Sequence, residues 1–264
     1  MVSLLRTLAE QVVYPILDLD TCHKTERDPF DVIAQWQELG LRLYQLRAKG
    51  LQTLPYADLA AKLRRAFPEM RIIANDMVDA VINDPEQFYG LHLGQSDVAG
   101  LSDARRARLL HLRAGRSSFL LGTSTHNLNQ LSAALNQRPD VLNDLRALPG
   151  DIANTRKNAQ LPWDYVALGP CYPTHSKPTG MDPVITIEEI RFILMEAAHQ
   201  LQGKTLVFIG GLTRARIAEL LAVLKGLRKT GSTDTIQPVF ALIGAAMDAT
   251  ELRKILIQCA SYSD

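Results

Sequence analysis

The sequence predicts a single closed (β/α)8 barrel, and three observations lead there. Eight short apolar runs recur along the chain, none shows strict polar alternation, and each precedes a longer stretch with helical spacing. Near-continuous Val, Ile and Leu is how strands buried on both faces read, which means a parallel sheet. The length of 264 residues suits one barrel domain, for which about 250 residues is usual. An eight-stranded, doubly wound open sheet is the competing architecture, and regular strand–helix alternation closes into a barrel more naturally.

The runs are VVYPILD from Val12, LRLYQLRAK from Leu41, RIIAND from Arg71, GLHLGQ from Gly90, FLLGTST from Phe119, DYVALGP from Asp164, TLVFIGG from Thr205 and PVFALIG from Pro238. Between them, Asp28-Pro29 reads as an N-cap with Pro at the first helical position, ahead of Val32, Ile33, Trp36 and Leu39. Thr186 to Glu189 fits a capping box before Ile190, Ile193, Leu194 and Ala197. Helical spacing recurs at Ile217, Leu220, Leu221 and Leu224, and at Leu252, Ile255 and Leu256. Residues 133–162 break the rhythm with Asn136, Pro139, Pro149, Gly150, Asp151 and Asn154, an extended excursion around the fifth helix within a 1–264 domain. A solvated excursion is the plainer reading and a functional lid the alternative.

Lys and Arg number 29 against 28 for Asp and Glu, a net charge of +1 that argues against a general nucleic-acid binder. The cysteines Cys22, Cys171 and Cys259 are odd in number and far apart, without a C-x-x-C pair. Neither a zinc site nor a disulfide framework is expected, and a reducing cytoplasm fits. The N-terminus lacks a signal-peptide apolar core, and no apolar run reaches the roughly 18 residues of a membrane span. A cytoplasmic protein with small-molecule substrates, and neither a nucleic-acid nor a membrane partner, is expected. A homo-oligomer is compatible with the sequence.

Barrel sites are built at the C-terminal ends of strands, and polar residues gather there. Arg47 and Lys49, two apart on one strand, would point the same way and grip a phosphate, or stand as solvated charges. Asn75 and Asp76 follow the third run, and Gln95 and Asp97 the fourth; two carboxylates from adjacent strand ends suit Mg²⁺. Asp76 would equally serve as a cap for the next helix. Ser124, Thr125 and His126 follow the fifth run without a partner acid or nucleophile elbow. His92 and His126 fit loop-ordering hydrogen bonds better than catalysis. Gly169 to Lys177 combine hydroxyls, backbone N–H groups and a cation, while Gly210-Gly211 and Ile243-Gly244 end the last two runs, the usual phosphate cradle. Two cation clusters, an acidic pair and a cradle, without an acid/base dyad, favour a reaction whose leaving group is pyrophosphate.

In order, Gln45-Leu-Arg-Ala-Lys49, Asn75-Asp76, His92-Leu-Gly-Gln95-Ser-Asp97, Gly122-Thr-Ser-Thr-His126, Gly169-Pro170 with Pro173-Thr174-His-Ser-Lys177, and Gly210-Gly211 resemble the thiamine-phosphate synthase family, from about Tyr14 to Met247. The resemblance implies Mg²⁺-dependent joining of 4-amino-5-hydroxymethyl-2-methylpyrimidine diphosphate to hydroxyethylthiazole phosphate or its carboxylated form. The pyrimidine-methyl cation would form first and be captured by the thiazole nitrogen. By the same resemblance, Gln45, Arg47, Lys49 and Asn75 would hold the pyrimidine diphosphate, Asp76 and Asp97 the metal, and Ser124 the pyrimidine substrate. Thr174, His175 and Ser176 would meet the thiazole phosphate, Lys177 the diphosphate or departing pyrophosphate, and Gly211, Ile243 and Gly244 would cradle the thiazole phosphate. Arg47, Lys49, Ser124 and Lys177 are the expected catalytic groups. Ala48 replaces a usual acidic residue, Met77 a common Arg, Ser176 a usual Thr and Gly244 a usual Ser. Three alternatives stay open. A thiazole tautomerase-like isomerase would tend to lose Asn75, Asp76 and Asp97; a catalytically silent phosphate- or thiamine-binding barrel would explain the departures; an aldolase or epimerase would need a Schiff-base lysine or acid/base pair.

Overall fold

The computed structural model describes residues 11–136, 160–174, 183–202, 204–229, 236 and 238–262. Strands β1 (Val13–Asp18), β2 (Leu43–Arg47), β3 (Arg71–Asn75), β4 (Gly90–Leu93), β5 (Leu120–Thr125), β6 (Tyr165–Leu168), β7 (Thr205–Phe208) and β8 (Pro238–Leu242) form a closed barrel in chain order. Every neighbouring pair is parallel, and β8 returns to β1 with Tyr14 opposite Ala241. The open-sheet alternative is thereby excluded, and all eight apolar runs are strands of one barrel.

Helices α1 (Leu19–Lys24), α2 (Pro29–Glu38), α3 (Thr53–Ala66), α4 (Val78–Asn83), α5 (Gln95–Ala99), α6 (Asp103–Gly115), α7 (Leu128–Leu135), α8 (Ile187–Ala197), α9 (Arg214–Lys229) and α10 (Ala249–Ala260) fill the connections. Two starts follow their sequence signals. Asp28 accepts from the Phe30 N–H at 2.7 Å, with Pro29 opening α2. Thr186 accepts from the Glu189 N–H at 3.1 Å while Glu189 accepts from the Thr186 N–H at 2.7 Å. Each such cap contributes about 1 kcal/mol.

Strand alternation divides the core into two layers. Tyr44 and Leu46 of β2 pack outward among helix residues such as Trp36, Ile33 and Tyr56. Leu43 turns inward with Tyr14, Ile73, Tyr165 and Val239. Each fully buried aliphatic side chain contributes about 1.5–3 kcal/mol, so the larger outer layer carries most of the stabilisation. At the N-terminal rim, Asp164 accepts from Arg113 Nη2 at 2.7 Å, Arg113 Nε at 3.1 Å and the Leu121 N–H at 2.9 Å. This bidentate pair fixes where the chain enters β6.

The fifth βα unit differs in detail from the sequence expectation. Ala133, Ala134 and Leu135 belong to α7, so the departure from the rhythm begins at Asn136 rather than Ala133. Leu131, Ala134 and Leu135 share a buried helical face, which draws this turn into the helix. Residues 137–159 lie outside the described residues, and Leu161 and Trp163 are buried again on the approach to β6.

One glycine is demanded by the inner layer. A Cβ on Gly122 would lie 2.0 Å from Cζ of Tyr165. Gly122→Ala is therefore expected to lower stability by about 1–3 kcal/mol or more through overpacking, read as a lower urea midpoint with an unchanged slope. Trimming Tyr165 to Leu in the same chain should recover part of the loss. A midpoint equal to that of the parent chain would show that the ring is not seated over Gly122.

Candidate active site

The C-terminal ends of β1 and β2 form a buried ion pair. Asp18 and Arg47 are register partners, 2% and 6% exposed, with Arg47 Nη1 on Asp18 Oδ1. Thr21 Oγ1 donates to the other carboxylate oxygen at 2.6 Å. This changes the expectation for the first cation cluster. β2 ends at Arg47, Ala48 is buried and Lys49 is exposed, so the two cations do not share a strand face. A buried guanidinium needs a counter-charge, and Asp18 supplies it. A guanidinium has five N–H donors, and among the described residues Asp18 is the side-chain partner of Arg47. Gln45 is buried within the barrel, its Nε2 donating to Tyr14 Oη at 3.3 Å.

The acidic pair does converge. Asp76 adopts a positive φ of 60°, a rare conformation for a residue with a Cβ. It does not cap the following helix: Met77 is the N-cap residue of α4 and no side chain caps that end. Instead, Asp76 Oδ1 accepts from the Gly94 N–H at 3.2 Å and Oδ2 from Asn75 Nδ2. Asp97, in the first turn of α5, lies against it. Burial first, and then the charge of Asp76, push the Asp97 carboxyl above the ordinary carboxylate range. Two mutually repelling carboxylates, one held by neutral donors, offer hard oxygen ligands of the kind Mg²⁺ takes. Among the described residues no group of three or more His, Cys, Asp or Glu side chains converges. A cation here would therefore take much of its shell from water and ligand oxygens, as Mg²⁺ does.

Of the three polar residues ending β5, only Ser124 belongs to the barrel interior. Thr125 is fully buried and donates to Ala167 O at 2.9 Å, and His126 Nδ1 holds Gly169 O. Ser124 Oγ meets His92 Nε2 at 2.9 Å, and His92 Nδ1 meets Tyr165 Oη at 3.1 Å. Gln95 Nε2 donates to Ser124 O. His126 thus makes the loop-ordering contact expected of it, whereas His92 bonds side chains of β5 and β6 rather than a loop.

The ends of β6, β7 and β8 form a glycine-lined wall. Gly210 and Gly211 have φ of 99° and 60°, and a Cβ on Gly211 would lie 2.3 Å from Pro173 O. Arg216 Nη1 donates to Gly211 O at 2.6 Å while its guanidinium lies 4.9 Å from the Tyr172 ring centroid, and Tyr172 Oη donates to Glu219 Oε2 at 2.6 Å. The loops after β6 and β7 are thereby bolted together, with half-buried Thr174 beside them. After β8, the 3₁₀ turn Gly244–Met247 is tied to α2 by Trp36 Nε1 donating to Ala246 O at 2.7 Å. Gly244 is exposed and a Cβ there would meet nothing within 4 Å. Cys171 is no nucleophile in this wall, because burial pushes its thiol up to about 12. His175, Ser176 and Lys177 lie outside the described residues.

The sequence reading missed Asp18, Tyr14, Tyr165, Tyr172 and Arg216. Asp18 carried a usable signal, an acidic residue closing an apolar run opposite an Arg on the next run. Tyr14 and Tyr165 sit within apolar runs and read as core, while Tyr172 lies in the loop after the sixth run, where nothing in the sequence pairs it with Arg216.

The thiamine monophosphate synthase family model matches residues 13–143. A thiamine-phosphate synthase of Koribacter versatilis is 32% identical over 206 residues, covering 76% of this chain and 78% of that one. One of Rhizobium etli is 32% identical over 203 residues, covering 72% and 78% respectively. In structure, the chain is similar to a thiamine phosphate pyrophosphorylase from Pyrococcus furiosus, with a TM-score of 0.59 and 18% identity over 97% of this chain and 96% of that one. At that identity the structural likeness speaks for the shared barrel. On the sequence identity, which spans most of each relative, the chain belongs to the thiamine-phosphate synthase family of transferases.

Proposed function

We propose that the protein joins 4-amino-5-hydroxymethyl-2-methylpyrimidine diphosphate to hydroxyethylthiazole phosphate, or its carboxylated form, releasing thiamine phosphate and pyrophosphate with Mg²⁺. The observation that carries this reading is the acidic pair, in which Asp76 is held by Gly94 and Asn75 against Asp97 rather than spent on a helix cap. A thiazole tautomerase-like isomerase has no diphosphate to neutralise and no use for that pair. The three free cysteines are all buried, which fits work in a reducing cytoplasm.

The chemistry asks the protein to hold charge rather than to supply a nucleophile. Breaking the methylene–diphosphate bond puts negative charge on the leaving pyrophosphate, while the aminopyrimidine donates electrons to the cation it leaves. Magnesium held by Asp76 and Asp97 would offset the diphosphate charge. Arg47, anchored by Asp18, and exposed Lys49 hold the diphosphate from the β2 side with Gln45 and Asn75, and Lys177 faces the pyrophosphate as it departs. Ser124 contacts the pyrimidine. Thr174, His175 and Ser176, with the backbone N–H groups of Gly211, Ile243 and Gly244, hold the thiazole phosphate so that its ring nitrogen meets the cation. Buried Ala48 and half-buried Met77 replace family polar residues with apolar ones beside this machinery. A silent binding barrel is the reading those departures favour.

Pyrophosphate release by the purified protein, with pyrimidine diphosphate, thiazole phosphate and Mg²⁺ each omitted in turn, tests the proposal. Release requiring all three, with thiamine phosphate formed, is expected; ligand binding without release would mean a silent barrel. Asp76→Ala should abolish Mg²⁺-dependent turnover with the circular dichroism spectrum unchanged, and full activity in that variant would overturn the metal assignment. Asp97 has a folded pKa above its ordinary 3.8, so without a cation its ionisation opposes folding. That stability is present at low pH and is lost as pH rises through the raised value. Asp97→Asn at neutral pH in chelator should therefore raise Tm and remove the further rise that Mg²⁺ gives the parent; a lower Tm would contradict the repulsion. Gly244→Ser has room for its side chain and should lower KM for thiazole phosphate several-fold with kcat little changed, whereas a higher KM would move the phosphate away from this turn.

A further inference from the structure

The barrel interior holds a line of hydrogen bonds that joins Gln45 to Ser124 through Tyr14, Tyr165 and His92, three residues that the reaction as described leaves unused. It runs from Gln45 Nε2 to Tyr14 Oη at 3.3 Å, to Tyr165 Oη at 3.3 Å, to His92 Nδ1 at 3.1 Å, and from His92 Nε2 to Ser124 Oγ at 2.9 Å. Five strands contribute one residue each, and only Ser124 is more than 5% exposed. Burial raises both phenols far above their ordinary range, so each keeps one proton to donate.

The direction of the line follows from its inner end. The Gln45 amide nitrogen has only protons to offer, so Tyr14 Oη accepts there and must place its own proton on Tyr165. Tyr165 Oη, already accepting, gives its proton to His92 Nδ1. A neutral imidazole that accepts at Nδ1 carries its proton on Nε2, and that proton goes to Ser124 Oγ. Running the line the other way would leave the Tyr14 proton facing an N–H group in a buried site, the kind of unsatisfied contact folded proteins avoid.

We propose that Tyr165 is a positioning residue that holds His92 as the Nε2–H tautomer and thereby makes the Ser124 hydroxyl a committed donor. With Ser124 Oγ accepting from His92, its one proton points away, towards an acceptor on the pyrimidine substrate such as a ring nitrogen. Gly122 is part of the device, because its missing side chain seats the Tyr165 ring. The substrate half of this inference rests on the synthase reading; the polarity of the line does not.

Two measurements test it. Nitrogen-15 imidazole spectra of the parent protein, with the His92 signals identified by their loss in His92→Gln, should show His92 neutral and protonated at Nε2. An Nδ1–H tautomer or a doubly protonated ring overturns the proposal, whether or not the protein turns over. Tyr165→Phe keeps the ring over Gly122 and removes the donor. It should lower kcat/KM for the pyrimidine diphosphate about tenfold, the scale of one buried hydrogen bond, leave KM for thiazole phosphate unchanged, and cost little further in a Ser124→Ala background. An equal factor in both backgrounds would make Tyr165 merely structural and overturn the positioning role. If Tyr165→Phe fails to fold, the tautomer of the parent still decides. A parent with the expected tautomer and no pyrophosphate release would sink the synthase reading alone; an active parent with the reversed tautomer would sink this inference alone.

Discussion

Closing a parallel sheet on itself removes both of its edges, and it also removes one of its faces from water. Every polar group a strand turns inward must then be satisfied by another strand. In this barrel that requirement is met by pairing across strands: Asp18 of β1 with Arg47 of β2, and Tyr14, Gln45, Tyr165, His92 and Ser124 in one line from five strands. The inner layer is therefore only partly an apolar filling. Its polar members are bound to one another, so changing one strand's inward residue alters partners on others, and Gly122 shows how tight the fit is.

The same constraint explains what the sequence could and could not reveal. Apolar runs are dictated by burial on both faces, so the eight strands, their order and the capped starts at Asp28 and Thr186 were all legible. Asp76 and Asp97 were legible as well, because acidic residues directly after apolar runs stand out. Tyr14 and Tyr165 were not, since a tyrosine in an apolar run reads as core and its hydroxyl partner lies 151 residues away. The pairing of Asp18 with Arg47 was hidden for a related reason. Register between strands decides which inward residues meet, and register is a property of the closed sheet rather than of either run. The end of the fifth unit was blurred by the Asn at 136, while the buried face of Leu131 and Leu135 carried the helix up to it.

Rigidity at the mouth comes from contacts between its loops and the elements behind them. Arg216 and Tyr172 join the loops after β6 and β7, and Trp36 reaches from α2 to the turn after β8. Arg216 and Trp36 donate to the backbone carbonyls of Gly211 and Ala246, and Tyr172 Oη donates to Glu219, so these turns are fixed relative to the helices behind them. The proposed cradle would be made of backbone N–H groups, which have no rotamers to adjust, so its accuracy would depend on such supports. Substitutions at the supports would therefore act on binding without touching a ligand.

The acidic pair and the buried ion pair show two opposite uses of charge within one mouth. Arg47 is buried with its counter-ion already in place, so its charge is balanced before any ligand arrives. Asp76 and Asp97 are set against each other, with the Gly94 N–H and the Asn75 amide donating to Asp76, and burial with mutual repulsion makes the second ionisation costly. A pair that carries this cost in the free protein would gain most from the cation proposed for it. The Asp76 backbone adds to it, since a non-glycine residue at φ 60° is held there by its surroundings rather than by preference. Strain and repulsion thus coincide at one residue, on the strand end next to the one that carries His92 and the line to Ser124. The acidic pair and the hydrogen-bonded line are consequently built on neighbouring strands, where the Asp76 N–H donates to His92 O at 2.9 Å and couples them through the sheet itself.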